Sequence, residues 1–284
     1  MITRKNISRR DFIRRTAAGA GMIALSPANS LLAHPAKSFW PKNAKKYTLY
    51  MIGHAHLDFV WLWPWTEGLA VVHSTFRSAL ERMKETPDLV FTCSSALFYR
   101  LVAENDPAML AEIRQRVAEG RWNVVGGWWL EPDMNIPSGE AMVRQGLYGQ
   151  RTLRELTGRQ ATVGFTADSF GHAGTVPQIL KLQGMENYAF MRPGGGEKDL
   201  PSNLFWWEAP DGSSVLAYRI HHHYGSLDQG EALTTRDDLR QVAEYVPQHP
   251  FPAVMKFFGV GDHGGGPSKA HIRVINECRA EKDA

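Results

Sequence analysis

Histidine and aspartate alternate in His54-Ala55-His56-Leu57-Asp58, directly after the apolar run Tyr47–Ile52. In an extended chain residues 54, 56 and 58 point to one side. Two imidazoles and a carboxylate on one face are the ligand types a divalent zinc takes, whereas a lone histidine is more often a core group. Trp61-Leu62-Trp63-Pro64-Trp65 follows at once. An aromatic ring beside a metal suits the C–H face of a sugar, and hydrophobic filling of the mouth of the fold is the other use of Trp61. Asp168, in Ala167-Asp168-Ser169-Phe170-Gly171-His172, stands at the end of another apolar run. It can be a metal ligand, a nucleophile or both, and Asp168 or Ser169 can instead cap a helix.

Three further segments carry chemistry. Trp128-Trp129-Leu130-Glu131-Pro132-Asp133 sets two acids and two indoles in one loop. Asp262-His263, within 261–266, adds an acid and an imidazole on a glycine-rich backbone that lacks the Walker spacing of a phosphate loop. Consecutive residues of His221-His222-His223 point to alternate sides, so at most one member serves a site.

Regular elements must hold these loops. Strands are expected at Tyr47–Ile52, Leu89–Cys93, Trp122–Val125, Ala161–Thr166, Asn187–Met191 and Ala253–Val260. Leu204–Glu208 and Ser214–Ile220 flank Asp211-Gly212, a hairpin signal. Helices are expected over Thr66–Glu85, from Asp106-Pro107 to Gly120, from Ser138 to Thr157 with Gly158 as stop, over Val176–Leu182 and Thr235–Tyr245, and after Pro267. Ser94 or Ser95 can cap a further helix. Such alternation implies a largely parallel α/β sheet or barrel, in which loops that follow strands converge on one face.

The composition is globular, with 43% hydrophobic and 21% charged residues among 284, which excludes whole-chain disorder. The net charge of +3 is uneven: residues 1–15 carry +5, and removing residues 1–36 leaves −2. That argues against nucleic-acid binding by the body of the chain. Cys93 and Cys278 make no disulfide framework, and no CxxC metal motif is present. Ser8-Arg9-Arg10-Asp11-Phe12 before the weakly apolar Thr16–Ala33 resembles a twin-arginine export signal, so 1–36 reads as an address and 37–284 as the working domain. The expected location is periplasmic or secreted. No stretch suits stable membrane insertion.

Together, GHAHLDFVWLWPW, GGWWLEPDMNIPSGE, FTADSFGHAGTVPQIL and VGDHGGGP, in that order, resemble glycoside hydrolase family 38, the zinc-dependent retaining α-mannosidases, over roughly residues 47–270. The resemblance implies a seven-stranded, mostly parallel β/α barrel of that family's N-terminal type. It implies zinc held by His56, Asp58 and Asp168, with Asp168 also the nucleophile and Asp262 the general acid/base. It implies Trp61, Trp128, Asp133 and Arg192 as sugar-contacting residues, and an oligosaccharide or glycoside with terminal α-mannose as substrate. The family's further zinc-binding histidine lies in a downstream segment not found here. A truncated frame, a partner chain that supplies this histidine, and a protein of drifted function are the competing expectations, with His263 or His172 as substitute ligands. An amidohydrolase or carbohydrate deacetylase, and a non-catalytic carbohydrate-binding fragment, are the readings from other classes.

Overall fold

The computed structural model describes Trp40 and residues 44–221, 223–225, 232–246 and 251–283. The export segment expected at 1–36 and His222 lie outside the described residues. Eight strands alternate with seven helices among them. The strands are β1 (Thr48–His54), β2 (Phe91–Cys93), β3 (Trp122–Val124), β4 (Val163–Thr166), β5 (Asn187–Phe190), β6 (Leu204–Glu208), β7 (Ser214–Arg219) and β8 (Ala253–Phe258). The helices are α1 (Trp65–Glu85), α2 (Ala96–Asn105), α3 (Pro107–Ala118), α4 (Gly139–Thr157), α5 (Val176–Leu182), α6 (Ala232–Tyr245) and α7 (Lys269–Asp283). No helix among the described residues is long and apolar enough to cross a membrane.

Local chemistry accounts for the helix ends. Asp106 accepts a hydrogen bond from Met109 N at 2.9 Å and Pro107 opens α3. Ser138 Oγ accepts from Ala141 N before α4, and Gly158 ends it at φ +77°. The expected Asp211-Gly212 turn joins the antiparallel pair β6 and β7, with Glu208 opposite Ser214.

The fold is α/β, with two four-stranded sheets in the orders β3-β2-β1-β8 and β4-β5-β7-β6. Every pairing is parallel except that of β6 with β7. The sheets face each other: Phe165 of β4 stacks on Phe257 of β8, with ring centroids 5.7 Å apart. The expected closed ladder of seven strands is not continuous. Gly126 N donates to Val163 O at 2.8 Å between the ends of β3 and β4. At the other seam the Tyr218 hydroxyl of β7 accepts from Met255 N at 3.1 Å and donates to Met255 O at 3.3 Å, occupying the place of a strand-to-strand bond.

A second core lies outside the sheets, under the helices. Trp122 is its centre, its ring 5.1 Å from Phe76 and 4.8 Å from Phe91, and its Nε1–H bonds the Tyr99 hydroxyl. All of these groups are buried, so this layer fixes the framework from which the strand-end loops emerge.

Candidate active site

The loops after the parallel strands enclose a cavity of about 690 Å³. Of the residues singled out from sequence, His56, Asp58, Trp61, Asp133, Asp168, Arg192 and Asp262 line it. Glu131, Phe170, His223 and Tyr224 line it as well.

The β1 loop is tied to the β8 loop at the cavity floor. Asp58 N donates to Asp262 O at 3.0 Å, and Asp262 holds a left-handed φ of +57°, which aspartate adopts more readily than most residues. One ligand atom each from His56, Asp58 and Asp262 lies within 4.8 Å of the others. His56 Nε2 is buried, 3.6 Å from Asp58 Oδ1, and makes no hydrogen bond among the described residues. A buried nitrogen without a partner, facing two carboxylates, is a donor set that could hold a divalent cation.

The other ring nitrogen, His56 Nδ1, lies 3.3 Å from Glu131 Oε2. Burial works against a charged imidazole here, but the neighbouring carboxylates of Glu131 and Asp58 outweigh it and hold the His56 pKa well above the usual histidine range. A cation that takes Nε2 therefore displaces a proton.

Asp168 stands across the cavity. Its main-chain N–H donates to Glu131 Oε1 at 2.8 Å, and its Oδ1 accepts from Arg192 Nε at 2.5 Å. The Arg192 guanidinium lies over the Phe170 ring, 4.3 Å from its centroid. The metal-suited cluster therefore contains Asp262 where the resemblance implied Asp168, whose carboxylate is engaged by Arg192. Asp168 and Ser169 cap no helix, because α5 starts only at Val176. The Tyr224 hydroxyl donates to Asp262 Oδ1 at 3.2 Å, and its ring meets His56 edge-on at 5.1 Å. Burial and the charges of Asp168 and Asp262 raise the Tyr224 pKa, so it remains a donor.

Several expectations are corrected. His54 does not join His56 in the cavity: β1 is still a strand at His54, which turns its ring inward against Phe165 and Phe257 and bonds the Tyr224 carbonyl through Nε2. Burial pushes its pKa down to about 4. Trp128 is 0% exposed and absent from the cavity wall, so it is core and no sugar platform, whereas Trp61 is 58% exposed. Asp133 keeps its expected place on the cavity wall, exposed, with Oδ1 accepting from the N–H groups of Asn135 and Ile136. Neither proposed substitute ligand reaches the cluster. His263 pairs with Glu67 Oε1 at 2.6 Å, and His172 Nε2 bonds the Tyr188 hydroxyl at 2.7 Å. Of the histidine run, His223 lines the cavity and His221 stacks on Tyr245.

Glu131 and Tyr224 were missed as site residues. Glu131 is visible in sequence only as one acid of a loop, and no periodicity marks Tyr224. The Glu131 loop is positioned by close backbone contact: Gly127 has φ +72°, and a Cβ on Gly149 of α4 would come 2.3 Å from Gly127 O.

A family model described as the glycosyl hydrolases family 38 N-terminal domain matches residues 46–283. The chain is similar to alpha-mannosidase 2C1 of Homo sapiens, 32% identical over 228 residues that make up 80% of this chain and 22% of that protein. It is 31% identical to alpha-mannosidase G of Dictyostelium discoideum over 249 residues, 86% of this chain and 22% of that one. A crystal structure of an alpha-mannosidase from Enterococcus faecalis V583 matches with a TM-score of 0.69 at 20% identity, covering 81% of this chain and 27% of the other, which is a likeness of fold. The chain spans 22% of the length of these curated relatives.

Proposed function

Because this chain belongs to glycosyl hydrolase family 38 through its N-terminal domain, we propose that it hydrolyses terminal α-mannosides with retention, and that its two facing sheets serve as one barrel-like scaffold for that site. The observation that carries the proposal is the gathering of Asp168 and Asp262 into the same cavity as the His56–Asp58 pair.

Asp168 is the nucleophile. Its carboxylate attacks the anomeric carbon and forms a glycosyl ester as the bond to the leaving oxygen breaks. Asp262 gives that oxygen its proton, then takes one from the water that cleaves the ester and returns Asp168 to its starting state. Arg192 holds the Asp168 carboxylate in place, and Tyr224 holds that of Asp262. The exposed indole of Trp61 offers a face for the sugar ring. His56 and Asp58 would hold zinc, which when bound supplies Lewis-acid contact to the cis hydroxyl pair at C2 and C3 of mannose. The N-terminal arginine pair supports delivery of the protein to the periplasm.

The test is release of an aryl group from an aryl α-mannoside by wild type and Asp168→Ala, with and without a chelator. Release that needs the metal and is lost in the variant supports the proposal. Release that persists in Asp168→Ala, or no release by wild type with zinc supplied, overturns it.

A further inference from the structure

We propose that Glu131 is the positioning residue of this site, one carboxylate that sets the metal-holding histidine and the nucleophile at a fixed spacing. The inference rests on the roles given above to His56 and Asp168. Glu131 Oε2 faces His56 Nδ1 at 3.3 Å, and Oε1 accepts the Asp168 N–H at 2.8 Å. The side chain is 12% exposed. It thus joins the loops after β1 and β4 through a residue of the loop after β3. A carboxylate that accepts from Nδ1 fixes the ring orientation of a histidine and makes Nε2 the nitrogen that turns its lone pair to a cation once its proton is displaced. His56 Nε2 is the nitrogen left without a hydrogen bond.

The support continues one residue further out. Glu131 N donates to Ser95 Oγ at 3.2 Å. Ser95 is 2% exposed and has φ +69°, ψ +100°, outside the regions a serine ordinarily occupies. It precedes α2 at the capping position, yet its side chain makes no cap bond. The hydroxyl is given to the Glu131 loop instead. Strain of this kind persists where the surrounding structure imposes it, and it clusters at functional sites.

The His56 and Asp168 partners of the Glu131 carboxylate are N–H donors, and the Ser169 hydroxyl lies 3.5 Å from the same Oε1. A glutamine presents one oxygen and one NH2 group, so it can satisfy His56 or Asp168 but not both in this geometry. An amide NH2 turned to His56 would leave the Nδ1 proton without an acceptor and release the ring from its fixed orientation.

The experiment compares wild type, Glu131→Gln and Ser95→Ala as full chains. Zn2+ affinity is read by competition with a chromogenic chelator, geometry by the visible spectrum of the Co2+-loaded protein, and folding by thermal unfolding of the metal-free protein. Glu131→Gln is expected to bind Zn2+ about 10- to 100-fold more weakly, with an altered Co2+ spectrum and unfolding within a few degrees of wild type. Zn2+ affinity within twofold of wild type and an unchanged Co2+ spectrum overturn the assignment, whatever happens to turnover. Should Glu131→Gln fail to fold, Ser95→Ala decides: it leaves the carboxylate but frees its loop, and a weakening of Zn2+ binding beyond twofold is expected, while unchanged binding overturns the assignment. Neither arm needs mannoside turnover, so failure of the glycosidase reading and failure of this one are separable.

Discussion

Arg192 and Asp168 meet Nε to Oδ1 at 2.5 Å on the cavity wall, and the same guanidinium lies against Phe170. One cation thereby orients the carboxylate assigned as nucleophile, while Glu131 fixes the backbone behind it. Orientation of this kind contributes mainly to the chemical step. Asp168→Asn is expected to lower kcat on an aryl α-mannoside by about ten-thousandfold, the loss seen when the carboxylate of a catalytic triad becomes an amide. Arg192→Gln is expected to lower kcat while the metal content stays at the wild-type level. Steady-state kinetics with elemental analysis of the same samples checks both, and a variant Arg192→Gln with unchanged kcat would remove the orienting role.

The His56–Asp58 pair predicts about one zinc per chain after dialysis, measured by elemental analysis. His56→Ala and Asp58→Ala should lose it. His56 Nε2 is buried and makes no hydrogen bond among the described residues, whereas Asp58 is partly exposed, so the histidine variant should be the more severe.

Asp262→Asn separates the acid/base role from metal binding. Loss of an acid is felt most by substrates with poor leaving groups, which need the proton. The variant should therefore retain turnover of a dinitrophenyl α-mannoside far better than that of a methyl α-mannoside or a disaccharide, with zinc still bound. Loss of zinc in Asp262→Asn would reassign this residue to the metal.

Two tryptophans predict opposite phenotypes. Trp61 is largely exposed at the cavity, so Trp61→Ala should raise KM by roughly two- to tenfold, the equivalent of about 0.5–1.5 kcal/mol of stacking, with unchanged thermal stability. Trp128 is fully buried, so Trp128→Ala should cost about 3–5 kcal/mol of folding stability. Parallel kinetics and denaturant unfolding of the two variants test the contrast.

His172 predicts an acid-sensitive fold. Burial pushes its pKa down to about 4 from 6.5, so in the native state it is neutral while its Nε2 bonds the Tyr188 hydroxyl. The unfolded chain binds a proton at about pH 6.5, and the folded chain binds it only near pH 4. The unfolded state therefore holds more protons in that window, and stability falls as pH drops from about 6.5 to 4, by up to about 3 kcal/mol from this group. His172→Gln keeps a hydrogen-bonding partner for Tyr188 without the proton site. Its melting temperature should decline less steeply over that window than that of wild type, and parallel curves would exclude His172 as the source.

Local sequence determined the elements and the residue types at their ends. Apolar runs of strand length, the Asp106-Pro107 and Ser138 starts, the Gly158 stop and the Asp211-Gly212 turn act through bonds between neighbours, and these are the elements observed. The loops rich in His, Asp and Trp were legible for the same reason, because parallel α/β topology brings the loops after strands to one face. Which side chain of a loop enters the cavity was decided by tertiary structure. His54 and His56 are two residues apart, yet one is core and one is in the site, because the strand alternation holds only to His54. Trp128 and Trp61 differ in burial because α4 and the helical layer close over one and not the other. The approach of Asp262 to Asp58, the hold of Arg192 on Asp168 and the two-sided contact of Glu131 each join residues from different strand ends. No local pattern encodes such meetings, since they depend on how the two sheets and their loops come together around one cavity.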